Sequence, residues 1–138
     1  MDEKLTLLSK VPLLAGLGRK DLEEVGRLAD EVSLPEGRVA AREGASGEEF
    51  FVIIEGSVRI DRGGTHVADL GPGEFFGELA MLGKVPRNPT VTCTTPCRFL
   101  VVGHREFNSL LASYPSIQNA VLHAVAQRIS RIEPSQTH

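Results

Sequence analysis

A glutamate, an arginine and two prolines lie within one glycine-bounded stretch, FFGELAMLGKVPRNPTV, at residues 75–91. Gly77 allows the backbone to approach a ligand closely, and the residues after it, Glu78 to Leu82, are good helix formers. One helical turn there would present backbone N–H groups that have no partner inside the helix, which makes an anion site. Arg87 adds a planar, bidentate donor that suits a phosphate. The stretch therefore predicts a phosphate site.

The carboxylate of Glu78 determines which functional groups the ligand must carry besides a phosphate. An ionised carboxylate only accepts hydrogen bonds and repels phosphate, so a ligand that contacts both Glu78 and Arg87 must also carry hydroxyl groups. A phosphate together with ribose hydroxyl groups describes a nucleotide. Gly83 can end the short helix, and Pro86 and Pro89 restrict the return path of the chain.

The run FGELAMLGKVPRNPTV, at residues 76–91, resembles the phosphate-binding cassette of cyclic nucleotide-binding domains. This family includes the bacterial catabolite activator, the protein kinase A regulatory subunits and the cyclic-nucleotide-gated channels. The resemblance implies that Glu78 binds the ribose 2′-hydroxyl, that Arg87 binds the cyclic phosphate, and that the backbone N–H groups of Ala80 and Asn88 complete the phosphate site. The ligand-binding residues expected on this basis are Gly77, Glu78, Leu79, Ala80, Arg87, Asn88 and Thr90.

Two positions in the cassette depart from the family pattern. Asn88 and Pro89 stand where the family usually has Ala, Thr or Ser followed by Ala. Asn88 keeps its backbone N–H, whereas Pro89 has none. The side chain of Asn88 has two open roles, a ligand contact or an ordinary turn residue. Phe75 and Phe76, just before the glycine, are expected in the core rather than against the ligand.

Length and composition bound the class of protein. The 138 residues are 41% hydrophobic and 24% charged, which predicts a single globular domain over residues 1–138. A net charge of −3 argues against general binding to nucleic acid or to an anionic membrane. The N-terminal apolar stretch is interrupted by polar residues and Pro12, unlike a signal peptide or a membrane span. Cys93 and Cys97 are expected to be free thiols in a cytoplasmic protein, with no metal site.

Three zones of sequence must position the cassette. Apolar residues at helical spacing predict an N-terminal helical element within residues 1–30, and residues 104–133 predict two further helices, with Ser116 as the N-cap of the last. Between them, residues 31–102 show short β-rich runs separated by turn residues, which predict a β-roll or jelly-roll barrel. The fold class is therefore mainly β with flanking helices and a short cassette helix. The predicted strands are Val32–Leu34, Arg38–Ala41, Phe50–Ile54, Ser57–Asp61, Thr65–Leu70, Thr90–Cys93 and Arg98–Val102.

The last helix carries an apolar stripe, and the resemblance implies that this helix is a lid over the bound base. The short helix before it would serve as the hinge, and Pro115 lies at the junction of the two. Residues of the stripe recur at helical spacing, so one face of the helix must be buried against something. They are Ile117, Val121, Leu122, Val125, Ile129 and Ile132.

Other functional classes fit the sequence less well. A metal-dependent jelly-roll enzyme needs several converging ligands, but the four histidines are scattered along the chain. There is no GxSxG elbow and no cysteine with an evident basic partner, as a hydrolase would need. The alternative that stays open is an interaction module that has kept the fold with an idle pocket.

The sequence thus predicts a cyclic nucleotide sensor domain that is not an enzyme. We expect it to bind cAMP in preference to cGMP and to need no metal or other cofactor. Its partner would be an effector protein of unknown identity, with no direct contact to nucleic acid or membrane. A monomer or a weak dimer is expected.

Overall fold

The computed structural model describes residues 3–42, 49–77 and 89–132 of the chain. The described N-terminal zone has helix α1 (Glu3–Ser9), a 3₁₀ turn (Pro12–Leu14) and helix α2 (Arg19–Leu28). Helices α3 (His104–Ser113) and α4 (Pro115–Ile132) follow the strands. The strands are β1 (Asp30–Leu34), β2 (Val39–Ala41), β3 (Glu49–Glu55), β4 (Val58–Arg62), β5 (Thr65–Leu70), β6 (Phe75–Phe76), β7 (Thr90–Cys93) and β8 (Cys97–Gly103).

The strands form two antiparallel sheets that face each other across an apolar interior. The first sheet has the order β1-β8-β3-β6, and the second has the order β2-β7-β4-β5. Both orders mix strands that are distant in sequence, as in a roll rather than a simple meander. The predicted mainly β roll with flanking helices is therefore confirmed, while the extent of the domain over residues 1–138 stays a prediction.

Strand β3 lies between two hydrophobic cores and has apolar residues on both of its faces. Successive side chains of a strand point to opposite sides, so its apolar run divides between the two cores. Phe50 and Val52 pack against the helices, whereas Phe51 and Ile53 pack in the interior of the roll. Strand β8 divides in the same way. A continuous apolar run, rather than an alternating one, is what a strand covered on both faces requires.

The two C-terminal helices pack on the outer side of the first sheet. Phe107 of α3 is buried there, and its ring lies 4.6 Å from the ring of Phe50. Helix α4 begins at Pro115, so the predicted N-cap Ser116 is wrong. Proline suits the first helical position because the N–H it lacks would have no partner there.

The stripe of α4 is narrower than the sequence predicts. Ile117, Val121 and Val125 are buried, but Leu122 is 51% exposed. The first three residues recur every four positions along one side of the helix, whereas Leu122 is displaced by about 100° from Val121. The side chains of Ile129 and Ile132 lie outside the described part of the chain. None of the described helices has both the length and the apolar character to cross a membrane.

The predicted strands agree with the structure to within one or two residues at each end, except that β6 was not predicted. Phe75 and Phe76 are both buried in β6, so their prediction as core residues is correct. The predicted cassette helix after Gly77 lies outside the described residues.

Candidate functional site

The two ends of the predicted cassette lie on opposite sheets of the roll. Strand β6 belongs to the first sheet and leads directly into Gly77, whereas β7 belongs to the second sheet and begins at Thr90. The connection between them must therefore pass from one sheet to the other. Five of the predicted ligand-binding residues fall on that connection and lie outside the described part of the chain, namely Glu78, Leu79, Ala80, Arg87 and Asn88.

Strand β6 fixes the point at which the cassette begins. Phe75 pairs with Val52 and Phe76 pairs with Phe51 on β3. Just before them, the backbone N–H of Ile53 donates to the carbonyl of Glu74 at 2.8 Å. Short as it is, β6 is therefore held in register along the edge of β3.

Gly77 occupies a position that only glycine can fill without strain. Its φ of +100° lies in the region that other residues avoid, and a Cβ placed on it would lie 2.6 Å from the backbone oxygen of Glu49. The sequence predicted that Gly77 lets the backbone approach a ligand. In the structure the backbone of Gly77 lies close to β3. An approach of Gly77 to a ligand stays a prediction.

An aromatic cluster supports the start of the cassette from inside the roll. The ring of Phe76 stacks on Phe51 at 4.7 Å with an angle of 9° between the planes. Phe99 meets both rings edge-on, at 5.6 Å and 5.8 Å. Offset stacks and edge-to-face pairs are the favoured arrangements of aromatic rings. The residue before Gly77 is therefore held by strand pairing and by ring contacts together.

Strand β7 fixes the C-terminal end of the cassette. Thr90 pairs with Asp61 and Val91 pairs with Ile60 on β4. Val91 is 1% exposed and belongs to the interior core, so the alternation of the strand directs the side chain of Thr90 away from that interior. A contact of Thr90 with a ligand inside the roll would use its backbone. Its role in binding stays a prediction.

The thiols of Cys93, at the end of β7, and Cys97, at the start of β8, belong to the core. Cys93 and Cys97 are both free and buried. Burial, followed by a hydrogen bond to Cys97, raises the pKa of the Cys93 thiol to about 12. Because the thiolate is the reactive form, Cys93 is an inert core residue at neutral pH. The described residues contain no cluster of three or more potential metal ligands.

The junction between α3 and α4 is anchored to the N-terminal zone. Tyr114 is half-buried there, and its carbonyl accepts hydrogen bonds from the N–H groups of Ile117 and Gln118. Burial, followed by the charges of Asp21 and Glu24 on α2, raises the pKa of the Tyr114 phenol. The junction between α3 and α4 thus lies close enough to α2 for the charges of that helix to act on Tyr114.

The family model of the cyclic nucleotide-binding domain matches residues 31–114, which are more than half of the chain and include both ends of the cassette. The chain belongs to the cyclic nucleotide-binding domain family.

Relatives of this cyclic nucleotide-binding domain include a channel and a transcription factor. A cyclic nucleotide-gated potassium channel of Mesorhizobium japonicum is 36% identical over 111 residues, covering 80% of this chain and 31% of the channel. The CRP-like cAMP-activated global transcriptional regulator of Mycobacterium tuberculosis is 26% identical over 136 residues, covering 95% of this chain and 59% of the regulator. The chain thus spans about a third to three fifths of the length of these two relatives.

A solved structure with bound ligand shares the fold. The regulatory domain of Toxoplasma gondii PKA, crystallised with cAMP, superposes with a TM-score of 0.77 at 22% identity, covering 90% of this chain and 49% of that one. The shared features of the cyclic nucleotide-binding domain are the two antiparallel sheets and the helices that flank them.

The structure also contains a cavity that sequence reasoning missed. It has a volume of about 360 Å³ and lies between the 3₁₀ turn, the segment 70–75 and helix α4. Of the predicted ligand-binding residues, the structure describes Gly77 and Thr90, and neither of these two lines it. It depends on contacts between segments far apart in the sequence, so only Pro72 and Gly73 hint at a turn there.

Proposed function

We propose that the chain is a cyclic nucleotide sensor domain that binds one cAMP inside the roll. Arg87 would hold the cyclic phosphate and Glu78 the ribose 2′-hydroxyl, with the backbone N–H groups of Ala80 and Asn88 completing the phosphate site. The observation that carries the proposal is Gly77, the glycine of the FGE motif, which directly follows β6 with a φ of +100°.

A charge argument supports these two roles. The domain is acidic overall, with a net charge of −3, so a phosphate must be held by local groups. A guanidinium can donate two parallel hydrogen bonds to one phosphate, and backbone N–H groups add donors without adding charge. The carboxylate of Glu78 can only accept, which suits a ribose hydroxyl and not the phosphate.

The proposed preference for cAMP over cGMP rests on Asn88. In the family, a hydroxyl residue at this position often accompanies cGMP binding, whereas alanine accompanies cAMP binding. Asparagine is neither a hydroxyl residue nor alanine. Like alanine, it lacks the hydroxyl that often accompanies cGMP binding. A relative named as cAMP-activated, at 26% identity, is consistent with this choice.

The proposed output is a movement of α4, the lid helix, on the hinge formed by α3. A ligand shifts such an equilibrium only if it binds one position better than the other, and apolar contact between the helix and the purine would supply that difference. We propose no catalytic step, no metal and no cofactor. The effector would be a protein or a further domain in the cytoplasm, and the sensor itself a monomer or a weak dimer.

Isothermal titration calorimetry with cAMP, cGMP and 5′-AMP tests the proposal. We expect saturable binding of one cAMP per chain, weaker binding of cGMP, and the weakest binding of 5′-AMP, which lacks the cyclic phosphate. Absence of heat with both cyclic nucleotides would favour the alternative, an interaction module with an idle pocket.

A further inference from the structure

The cavity of about 360 Å³ described above, which we call the cavity beside α4, lies on the helical side of the roll. Leu13 and Phe75, which line it, are buried in the core under the helices, and Ala120 and Ala124 of α4 pack against the same core. Phe76, the next residue of β6, is instead buried in the interior of the roll. Successive residues of a strand point to opposite faces. The cavity therefore lies across β6 from the roll interior, where the nucleotide is proposed to bind.

The walls of the cavity come from three segments that are distant in the sequence. Helix α4 contributes Ala120 and Ala124, which share one side of the helix at positions i and i+4. On another side, a Cβ placed on Gly73 would lie 2.9 Å from Cδ of Pro12, so the 3₁₀ turn and the turn before β6 are in contact and form one wall. Sites for small organic molecules have volumes of roughly 300–1,000 Å³. The cavity is thus of the size that suits a small organic molecule.

The lining is apolar except for two side chains at the rim. Among the described residues that line the cavity, Glu74 is the one with a charged side chain, and Gln127 adds an amide. Both side chains are exposed, whereas Leu13, Leu70 and Phe75 are buried. An ionised carboxylate accepts hydrogen bonds and attracts cations. This combination favours a molecule with an apolar body and a cationic group.

The turn before β6 holds the carboxylate of Glu74 in place. The N–H of Glu74 donates to the carbonyl of Gly71 at 3.1 Å, which closes a β-turn. Its central residues, Pro72 and Gly73 with a φ of +87°, are those that a type II turn favours. One carboxylate oxygen of Glu74 accepts in return from the N–H of Gly71 at 2.9 Å. Because a carboxylate can accept about four hydrogen bonds, this contact orients the group and leaves it able to accept from a ligand.

We propose that the cavity beside α4 binds a small organic cation, namely an apolar body that carries a primary ammonium group. The body lies against Leu13, Phe75 and the two alanines of α4, where its burial removes apolar surface from water. The ammonium group lies at the rim and donates to the carboxylate of Glu74. An anion of the same shape is repelled by Glu74, and none of the described lining residues carries a positive charge to offset this. The site is separate from the proposed nucleotide site and does not depend on it.

Three indole compounds of similar shape test the preference for a cation. Tryptamine carries an ammonium group, tryptophol a neutral hydroxyl and indole-3-acetate a carboxylate, and each is titrated into ¹⁵N-labelled protein while amide shifts are followed by NMR. With tryptamine we expect saturable shifts in segments 71–75 and 120–127. Tryptophol should bind about fivefold more weakly, the most that an exposed ion pair contributes, and indole-3-acetate more weakly still. Absence of tryptamine shifts in these segments, or equal affinities of the three compounds, would overturn the proposal.

A pair of variants on α4 tests the location of the site. Ala124→Leu fills the cavity, whereas Ala126→Leu makes the same change at an exposed position about 200° around the helix. We expect Ala124→Leu to bind tryptamine about tenfold more weakly than Ala126→Leu, as when about two CH₂ groups of a ligand lose their burial. If leucine prevents folding, Ala124→Val and Ala126→Val replace the pair with the same loss of helix propensity. Equal affinities within the pair that folds would contradict the proposal.

Glu74→Gln tests the role of the carboxylate. Glutamine keeps an oxygen that can accept from the N–H of Gly71, so the turn is retained while the charge is removed. We expect this variant to bind tryptamine and tryptophol with equal affinity. A preference for tryptamine that survives in Glu74→Gln would overturn the proposal. These titrations contain no cyclic nucleotide, so their failure and the failure of the proposed function are distinguishable.

Discussion

Replacement of Gly77 by alanine tests how β6 positions the cassette. The substitution forces a residue with a side chain to adopt a φ of +100°, at a cost of roughly 1–3 kcal/mol. Its Cβ would also lie 2.6 Å from the oxygen of Glu49, so β6 must shift away from β3, which adds about 1–3 kcal/mol as in other overpacked sites. We therefore expect a loss of about 2–6 kcal/mol in the free energy of unfolding.

Gly37→Ala is the matched control for this measurement. Gly37 has a similar φ of +87°, but a Cβ placed on it has no neighbour within 4 Å. Its alanine variant should lose only the cost of the backbone strain, roughly 1–3 kcal/mol. Equilibrium urea unfolding of both variants measures the difference, and a thermal scan should show Gly77→Ala melting several degrees below Gly37→Ala. Equal losses would mean that the contact with Glu49 does not constrain the chain, and the account of the cassette's starting point would be wrong.

Three further predictions concern the ligand, the core and the last helix. Glu78→Ala should weaken cAMP binding by about 1–3 kcal/mol in calorimetry, because one hydrogen-bonded hydroxyl is lost, and an unchanged affinity would remove Glu78 from the site. The Cys93 thiol has a pKa raised from 9.0 to about 12, so its contribution to stability is complete below pH 9 and is lost as the pH rises towards 12. Urea unfolding across that range should show a smaller decline for Cys93→Ala than for the unmodified protein, and parallel declines would contradict the burial argument. Amide exchange of residues 116–132 should slow on addition of cAMP, whereas equal protection with and without cAMP would mean a fixed helix and no lid.

Strands with strong local signals could be predicted from the sequence to within a residue or two. The run EFFVIIE of β3 is apolar over its centre because it lies between two cores, and short continuous apolar runs predict buried strands. Strand β6 was not predicted because two phenylalanines are too few to show the alternation of side chains that marks a strand. They form a strand only because they pair with Phe51 and Val52.

Features that depend on contacts between distant segments could not be predicted from the sequence. They occur at the start of the cassette and along the last helix. The residue type of Gly77 was evident from the sequence, but its neighbour, the oxygen of Glu49, becomes apparent only when β3 and β6 pair. The exposure of Leu122 depends on which side of α4 meets the sheet and the N-terminal zone, and helical spacing alone groups it with Val121. The cavity beside α4 requires Pro12 and Gly73 to meet in three dimensions.

A cAMP titration of the unmodified protein beside Arg87→Ala tests whether Arg87 binds the nucleotide. If Arg87 holds the cyclic phosphate through a charge-assisted, bidentate contact, its removal should cost roughly 2–5 kcal/mol of binding free energy. Thermal unfolding without ligand, measured on the same two samples, separates binding from folding. We expect a large loss of cAMP affinity with little change in the melting temperature. A variant that melts early yet binds cAMP with full affinity would show that Arg87 supports the fold and does not bind the nucleotide.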